Sequence, residues 1–366
     1  MTAAAQEAAP VSEQICNICL THDPAYGGLY RSVNDFADAL NAPIFAFEGD
    51  RYRVSAAAAR LATAAVADAE LLVVHSLFRG HATWAQAWAR QHHRRYWAVP
   101  HGCLDPAGLS HHGLLKRLWL GLRGRSYLAG AERIVVSSQR SLEKARPWIP
   151  PERAVVVHWP VDLPSLAAKD ESRARFRQRH GVPEAARQLL FLGRLHAIKR
   201  PIETVRAFAA AMTDHCHLVI AGMDGDLTQA DVLAAVPTGC RDRVHPVGPL
   251  AGAEVNAAFL ASDGFISLSW QENFGYSAAE AAAYGLPIIL SPGHDLAHEM
   301  PARDGRFACG WLLGNDSQAA AVGAIGEFGR ADDATLVAAG AAGRGWASDE
   351  LSRERFRDRL IELAGA

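Results

Sequence analysis

Two carboxylates, Glu272 and Glu280, are separated by seven residues in the run Glu272-Asn273-Phe274-Gly275-Tyr276-Ser277-Ala278-Ala279-Glu280. The run reads as a loop entering a short helix, which Gly285 and Pro287 stop ahead of an apolar strand ending at Leu290. Gly275 lets the backbone come close to a ligand, and the open amides of a helix start hold phosphate oxygens without a side chain. Asn273, Phe274 and Gly275 are therefore candidates for an anion site built from backbone. Glu272 lies before the helix and Glu280 about a turn and a half into it, so the two reach different parts of one ligand. Carboxylates accept well from sugar hydroxyls, and this pair could grip a ribose and a second sugar on either side of a diphosphate. The plain alternative is a helix-start Glu favoured by the macrodipole and a solvated Glu beyond it.

A second cluster, Gly193-Arg194-Leu195-His196-Ala197-Ile198-Lys199, sets two cations ahead of a helix that Pro201 opens. Arg can hold phosphate oxygens through two parallel hydrogen bonds and Lys adds a compact charge, which suits a departing diphosphate. The other reading is a solvated pair beside a turn. Asp224-Gly225-Asp226 follows a strand and reads as a turn rather than a cation site. Cys16 and Cys19 form a C-x-x-C within a strand, where residues three apart face opposite ways, so their expected role is structural.

The elements that must carry these residues are short apolar runs at 15–20, 71–74, 134–136 and 155–157, then at 189–192, 217–221, 265–268 and 287–290. Amphipathic stretches such as 201–212 separate them. The alternation predicts α/β architecture: two Rossmann-like, doubly wound parallel-sheet domains. A chain of 366 residues is long enough for two cores. Trp159-Pro160-Val161-Asp162-Leu163-Pro164 is rigid and extended, placing the linker near 160–170. Leu351, Phe356, Leu360 and Leu363 recur at helical spacing in a terminal amphipathic helix over 348–363.

With 49% apolar residues and a net charge of -2, the chain is expected to be globular and not a dedicated nucleic-acid binder. Residues 1–10 lack the cationic and apolar segments of a secretory signal, which predicts a cytoplasmic protein. No apolar run is long enough to span a bilayer, so any membrane contact must be peripheral. Between Arg90 and Arg146, eleven cations stand against three acids and interleave with Leu114, Leu115, Leu118, Trp119, Leu120 and Leu122. Such a segment could rest at the inner face of an anionic membrane or meet a lipid-diphosphate acceptor, beside the plainer reading of surface helices.

In these motifs the chain resembles the retaining glycosyltransferases of family four, with the GT-B fold and an E-x7-E motif. The resemblance rests on Glu272 to Glu280 with the following Ala-Tyr-Gly-Leu-Pro, on Phe191-Leu192-Gly193-Arg194-Leu195-His196 with Lys199, on Gly27-Gly28, and on Pro100-His101-Gly102-Cys103-Leu104-Asp105-Pro106. It departs at the linker, where the family often has Pro-Asn-Gly and this chain has His158-Trp159-Pro160.

The resemblance implies two domains facing a central cleft: 1–165 for the acceptor and 166–345 for a UDP- or GDP-sugar, with a helix at 346–366 packing back on the first. It implies that Arg194 and Lys199 hold the donor diphosphate, that Glu280 binds the ribose and that Glu272 lies near the donor sugar. Gly27 and Gly28 would border the diphosphate, and His101 would sit beside the reacting sugar. A retaining hexosyl transfer to a glycan, lipid-linked or small-molecule acceptor in bacterial polysaccharide or glycoconjugate biosynthesis would follow. It would need no metal or cofactor beyond the nucleotide-sugar co-substrate. Two other readings are a sugar-nucleotide epimerase, which would turn over donor without acceptor, and a non-catalytic sugar-nucleotide-binding protein, which would release no nucleoside diphosphate. No G-x-G-x-x-G follows the first strand, which argues against a dinucleotide oxidoreductase.

Overall fold

The computed structural model describes residues 14–48, 53–110, 113–167, 169–211 and 213–365, so the stretch 1–10 read for targeting lies outside it. The chain forms two compact units, Met1–Pro160 with Arg353–Ala366, and Val161–Ser352.

The first unit is built on a six-stranded sheet: β1 (Ile15–Cys19), β2 (Ile44–Ala46), β3 (Leu71–His75), β4 (Arg95–Val99), β5 (Arg133–Val136) and β6 (Ala154–Val156), in the order β2-β1-β3-β4-β5-β6. The second unit has β7 (Arg187–Leu192), β8 (Cys216–Ala221), β9 (Val244–Gly248), β10 (Gly264–Ser267), β11 (Ile288–Leu290) and β14 (Gly310–Leu312), in the order β14-β11-β10-β7-β8-β9. β12 (Ala302–Arg303) and β13 (Arg306–Phe307) form a small antiparallel ribbon. Every pairing in the two large sheets is parallel. Central strands such as β3 and β8 are buried along their whole length, as parallel strands covered on both faces must be.

All eight apolar runs of the sequence lie in strands, but β2, β4, β9 and β14 escaped that reading. β2, β9 and β14 are sheet edges, where strands are short and carry breakers, as in Val244-His245-Pro246-Val247-Gly248. β4, Arg95-Tyr96-Trp97-Ala98-Val99, was hidden by its place in the cationic segment, although Trp97 is fully buried.

Each sheet reverses direction of growth at one place, and there the loops leaving adjacent strands part to form a crevice. In the first unit this is between β1 and β3, and in the second between β7 and β10. Each sheet is packed on its own apolar core, one containing Ile18, Leu72, Trp88 and Tyr127 and one containing Phe191, Phe208, Ile266 and Phe328.

The terminal segment is divided where one helix was expected. A helix over Asp333–Glu350 ends at Leu351, and a second runs over Arg353–Gly365. Leu351 is fully buried and its carbonyl accepts from the Val161 amide at 2.9 Å, which takes that carbonyl out of any continuing helix. The last helix belongs to the first unit, where Phe356 packs edge-on against Phe36 at 5.1 Å and Arg353 pairs with Asp35 at 3.1 Å.

Cys16 and Cys19 are buried free thiols on β1, and burial pushes them up to about 11 and about 12. That makes them unreactive members of the core. Asp224 and Asp226 accept main-chain N–H groups of Gln229 and Ala197, at 3.0 and 2.9 Å, as turn residues do.

Candidate active site

In the second unit three loops meet at the carboxyl ends of β7, β10 and β11. Main-chain bonds tie them together: Trp270 N–H donates to Ile198 O at 2.9 Å, Glu272 N–H to Gly293 O at 2.9 Å, and Asp295 N–H to Glu272 O at 3.0 Å. Gly293 permits the approach, since a Cβ there would sit 2.3 Å from the Trp270 carbonyl. Arg200 braces the same junction from below. Its buried guanidinium lies 4.6 Å over the Trp270 ring and donates to the Asp316 carbonyl at 3.2 Å.

The frame brings Lys199 and Glu272 into direct contact across the crevice, as a charge-assisted ion pair. With only 25% and 12% of their side chains exposed, the pair is shielded from solvent and stronger than a surface pair. Burial pushes the Glu272 carboxyl up, but Lys199, His294 and hydrogen bonds from Lys199 and Ser269 more than offset this and hold it below its ordinary value. The sequence had given the two residues separate roles, and the fold couples them.

His294 had not been singled out. It follows β11 and is 2% exposed, with Nε2 2.9 Å from Ser267 Oγ, while Nδ1 is buried without a hydrogen-bond partner. A Cβ on Gly275 would lie 3.1 Å from that Nδ1. Burial pulls this imidazole down to about 4, against the opposing pull of Glu272, so it is neutral at pH 7. The legible signal was its place in Ser291-Pro292-Gly293-His294, a turn at the end of a strand run.

Gly275 has φ +80° and caps the helix Tyr276–Ala283, whose start carries no side-chain cap. The Phe274 ring is buried edge-on to Tyr276 at 4.9 Å and anchors this loop, while Asn273 is part-exposed beside it. Glu280 is part-exposed on the same helix. Arg194 is exposed on the loop after β7, its stem lying over the Gly225 turn, with a Cβ on Gly225 falling 3.1 Å from its Cγ. The second unit thus gathers Arg194, Lys199, Glu272, Asn273, Phe274, Gly275 and Glu280 on the loops and helix beyond β7 and β10. Of these, Lys199 and Glu272 meet directly as an ion pair.

In the first unit, Gly27 follows β1 with φ +54° and caps the helix Gly28–Leu40, again without a side-chain cap. Open space surrounds the position a Cβ on Gly27 would take. His101 follows β4 in the left-handed region, at φ +50°. Its Nε2 lies 3.0 Å from Nδ1 of His75, the last residue of β3, and His75 Nε2 lies 3.1 Å from Asn17 Oδ1 on β1. Burial takes His75 well below its ordinary value and His101 down to about 3, so both rings are neutral. Asn17 and His75 were also missed. A polar residue inside an otherwise apolar strand was the available sign, because it must find a buried partner.

Among the described residues no group of three or more His, Cys, Asp or Glu could hold a metal ion, and no helix is long and apolar enough to cross a membrane.

Residues 172–340, which contain Arg194, Lys199, Glu272 and Glu280, match the family model described as glycosyl transferases group 1. The chain is 28% identical over 180 residues to a GDP-mannose:cellobiosyl-diphosphopolyprenol alpha-mannosyltransferase of Xanthomonas campestris, covering 48% of this chain and 44% of that protein. It is 31% identical over 204 residues to a D-inositol 3-phosphate glycosyltransferase of Streptomyces scabiei, covering 52% of this chain and 45% of that one. The chain thus spans less than half the length of these relatives. Its fold is that of HepE from Anabaena, solved with UDP and glucose, at a TM-score of 0.77 and 16% identity over 96% of this chain and 99% of that one. The architecture is the two-domain, Rossmann-like GT-B fold.

Proposed function

We propose that this chain is a retaining, metal-independent glycosyltransferase that moves a hexosyl group from a UDP- or GDP-sugar to a glycan, lipid-linked or small-molecule acceptor, in bacterial polysaccharide or glycoconjugate assembly. The observation that carries the reading is the shielded Lys199–Glu272 pair at the β7/β10 crevice, next to the uncapped helix start at Gly275. Breaking a sugar–phosphate bond sends its electron pair to the diphosphate and leaves positive charge on the ring. Lys199, Arg194 and the amides following Gly275 neutralise the departing charge, each good donor contributing about 3 kcal/mol to the barrier reduction. Glu280 takes the ribose hydroxyls, and Glu272 orients Lys199 and the donor sugar. The acceptor oxygen attacks C1 from the face the diphosphate leaves, and its proton passes to the departing phosphate oxygen. Asp224 and Asp226 are engaged in a turn, which supports a reaction run on protein cations instead of a D-x-D-bound metal. The group 1 match and the names of the two relatives support the transferase class.

A panel of UDP- and GDP-sugars tests the reading by thermal shift. At a hundred times its Kd a true donor adds about 2.7 kcal/mol, a rise of several degrees in Tm. Nucleoside diphosphate should then be released only when an acceptor is supplied. A panel without a single shift would reject the proposal, and turnover of donor without acceptor would favour the epimerase.

His101→Ala should lower kcat by about 10²-fold while donor KM stays within a few-fold, because the neutral imidazole acts on the reacting sugar and not on the nucleotide. Steady-state kinetics with varied donor check this.

The peripheral membrane contact is proposed for the helix beginning at Gly113. Leu114, Leu115, Leu118 and Leu122 are 83, 67, 56 and 73% exposed on one stripe, flanked in sequence by Arg117, Arg123 and Arg125, while Lys116 is turned onto the Gly108 carbonyl. A lipid surface would take the leucines, and anionic headgroups would add about 1 kcal/mol per nearby cation. The protein should float with phosphatidylglycerol vesicles and not with phosphatidylcholine vesicles, and Leu115→Ser with Leu118→Ser should abolish flotation. Equal recovery with both lipids, or none with either, would dispose of this contact.

A further inference from the structure

We infer that Asn17 and His75 are positioning residues that hold His101 in one tautomer, with Nε2 protonated and Nδ1 presented as a hydrogen-bond acceptor. Three side chains from β1, the end of β3 and the turn after β4 form a single line, His101 Nε2 to His75 Nδ1 at 3.0 Å and His75 Nε2 to Asn17 Oδ1 at 3.1 Å. A neutral imidazole carries one N–H and one lone pair, so each bond in the line dictates the next. The Asn17 carbonyl oxygen can only accept, which puts the His75 proton on Nε2. His75 Nδ1 is then a lone pair, and His101 must donate to it from Nε2. The remaining His101 nitrogen, Nδ1, is left as an acceptor for solvent or a reactant hydroxyl.

The surroundings keep this line from rearranging. Asn17 and His75 are fully buried, and Phe36 stands edge-on to His75 at 5.2 Å. The main-chain carbonyl of His75 is held by His81 Nε2 at 2.7 Å, which fixes the strand end from which the ring projects. Burial above all, and then the neighbouring His101 and His81, opposes a charge on His75, while Arg79 opposes one on His81, so the line works with every ring neutral. Trp159 closes the side of the His101 ring at 5.9 Å. The contact spans the β1/β3 reversal of the first sheet, so the fold's own crevice delivers the ring.

This inference rests on the reading of His101 in transfer, and the two are tested apart. Nitrogen-15 NMR of histidine-labelled full-length protein, with the His101 signals assigned by loss in His101→Ala, reads the tautomer without any substrate. The expected result between pH 6 and 8 is a protonated Nε2 and an unprotonated Nδ1 on His101. In Asn17→Ala the ring should become a mixture of tautomers, with kcat lowered roughly tenfold and donor KM little changed. Asn17→Asp keeps an acceptor facing His75 and should restore the single tautomer. A protonated Nδ1 in the wild type, a mixture there, or an unaltered tautomer in Asn17→Ala would overturn the inference. Normal turnover by His101→Ala would instead remove His101 from the reaction and leave the tautomer result standing.

Discussion

Lys199→Ala should lower kcat by about 10²- to 10³-fold, the loss expected when one preorganised donor to a developing anion is removed. A second consequence follows from Glu272. In the wild type Lys199 is the largest influence holding that carboxyl below its ordinary value, against burial that pushes it up. The folded pKa lies below the unfolded one, so the group stabilises the native state at neutral pH and that contribution is lost as pH falls through the folded value. Without Lys199 burial prevails and the sign reverses. The variant should be destabilised by about 3 kcal/mol at pH 7, and the gap from wild type should narrow as acid protonates Glu272. Thermal unfolding of both proteins from pH 7 down to pH 4 measures the narrowing. A gap independent of pH would mean that the pair does not govern the Glu272 carboxyl.

Gly275→Val should abolish donor binding and destabilise the second unit together. A β-branched residue at φ +80° is strained by about 1–3 kcal/mol, and its Cβ would press against His294 Nδ1 at 3.1 Å. The side chain would also stand at the uncapped helix start, where the phosphates are proposed to rest. Gly275→Asn separates the two effects, because Asn tolerates the left-handed region while still crowding the amides. It should recover most of the Tm and little of the affinity in titration calorimetry with the donor. Full affinity in the Asn variant would move the phosphate site away from this loop.

Alternating apolar runs and helical stretches declared the doubly wound architecture, because buried parallel strands have few ways to look in sequence. The edge strands and β4 did not declare themselves, since an edge needs only a few residues and a central strand can hide in charged surroundings. Arg194, Lys199, Glu272 and Gly275 were legible because local chemistry marks them: cations before a helix, a carboxylate beside a glycine that must turn. His294, His75 and Asn17 were not, because their meaning lies in pairings across strands distant in the chain. Asn17 reaches His75 fifty-eight residues on, and Glu272 reaches Lys199 seventy-three residues back. The order of strands alone decides such meetings.

The most direct measurement is a crystal structure of the full chain soaked with whichever nucleotide sugar gives the largest thermal shift. Diphosphate oxygens should lie about 3 Å from the Lys199 amine, the Arg194 guanidinium and the amides that follow Gly275, with the ribose on Glu280. A donor bound elsewhere, with the Lys199–Glu272 pair and the helix start untouched, would contradict the account.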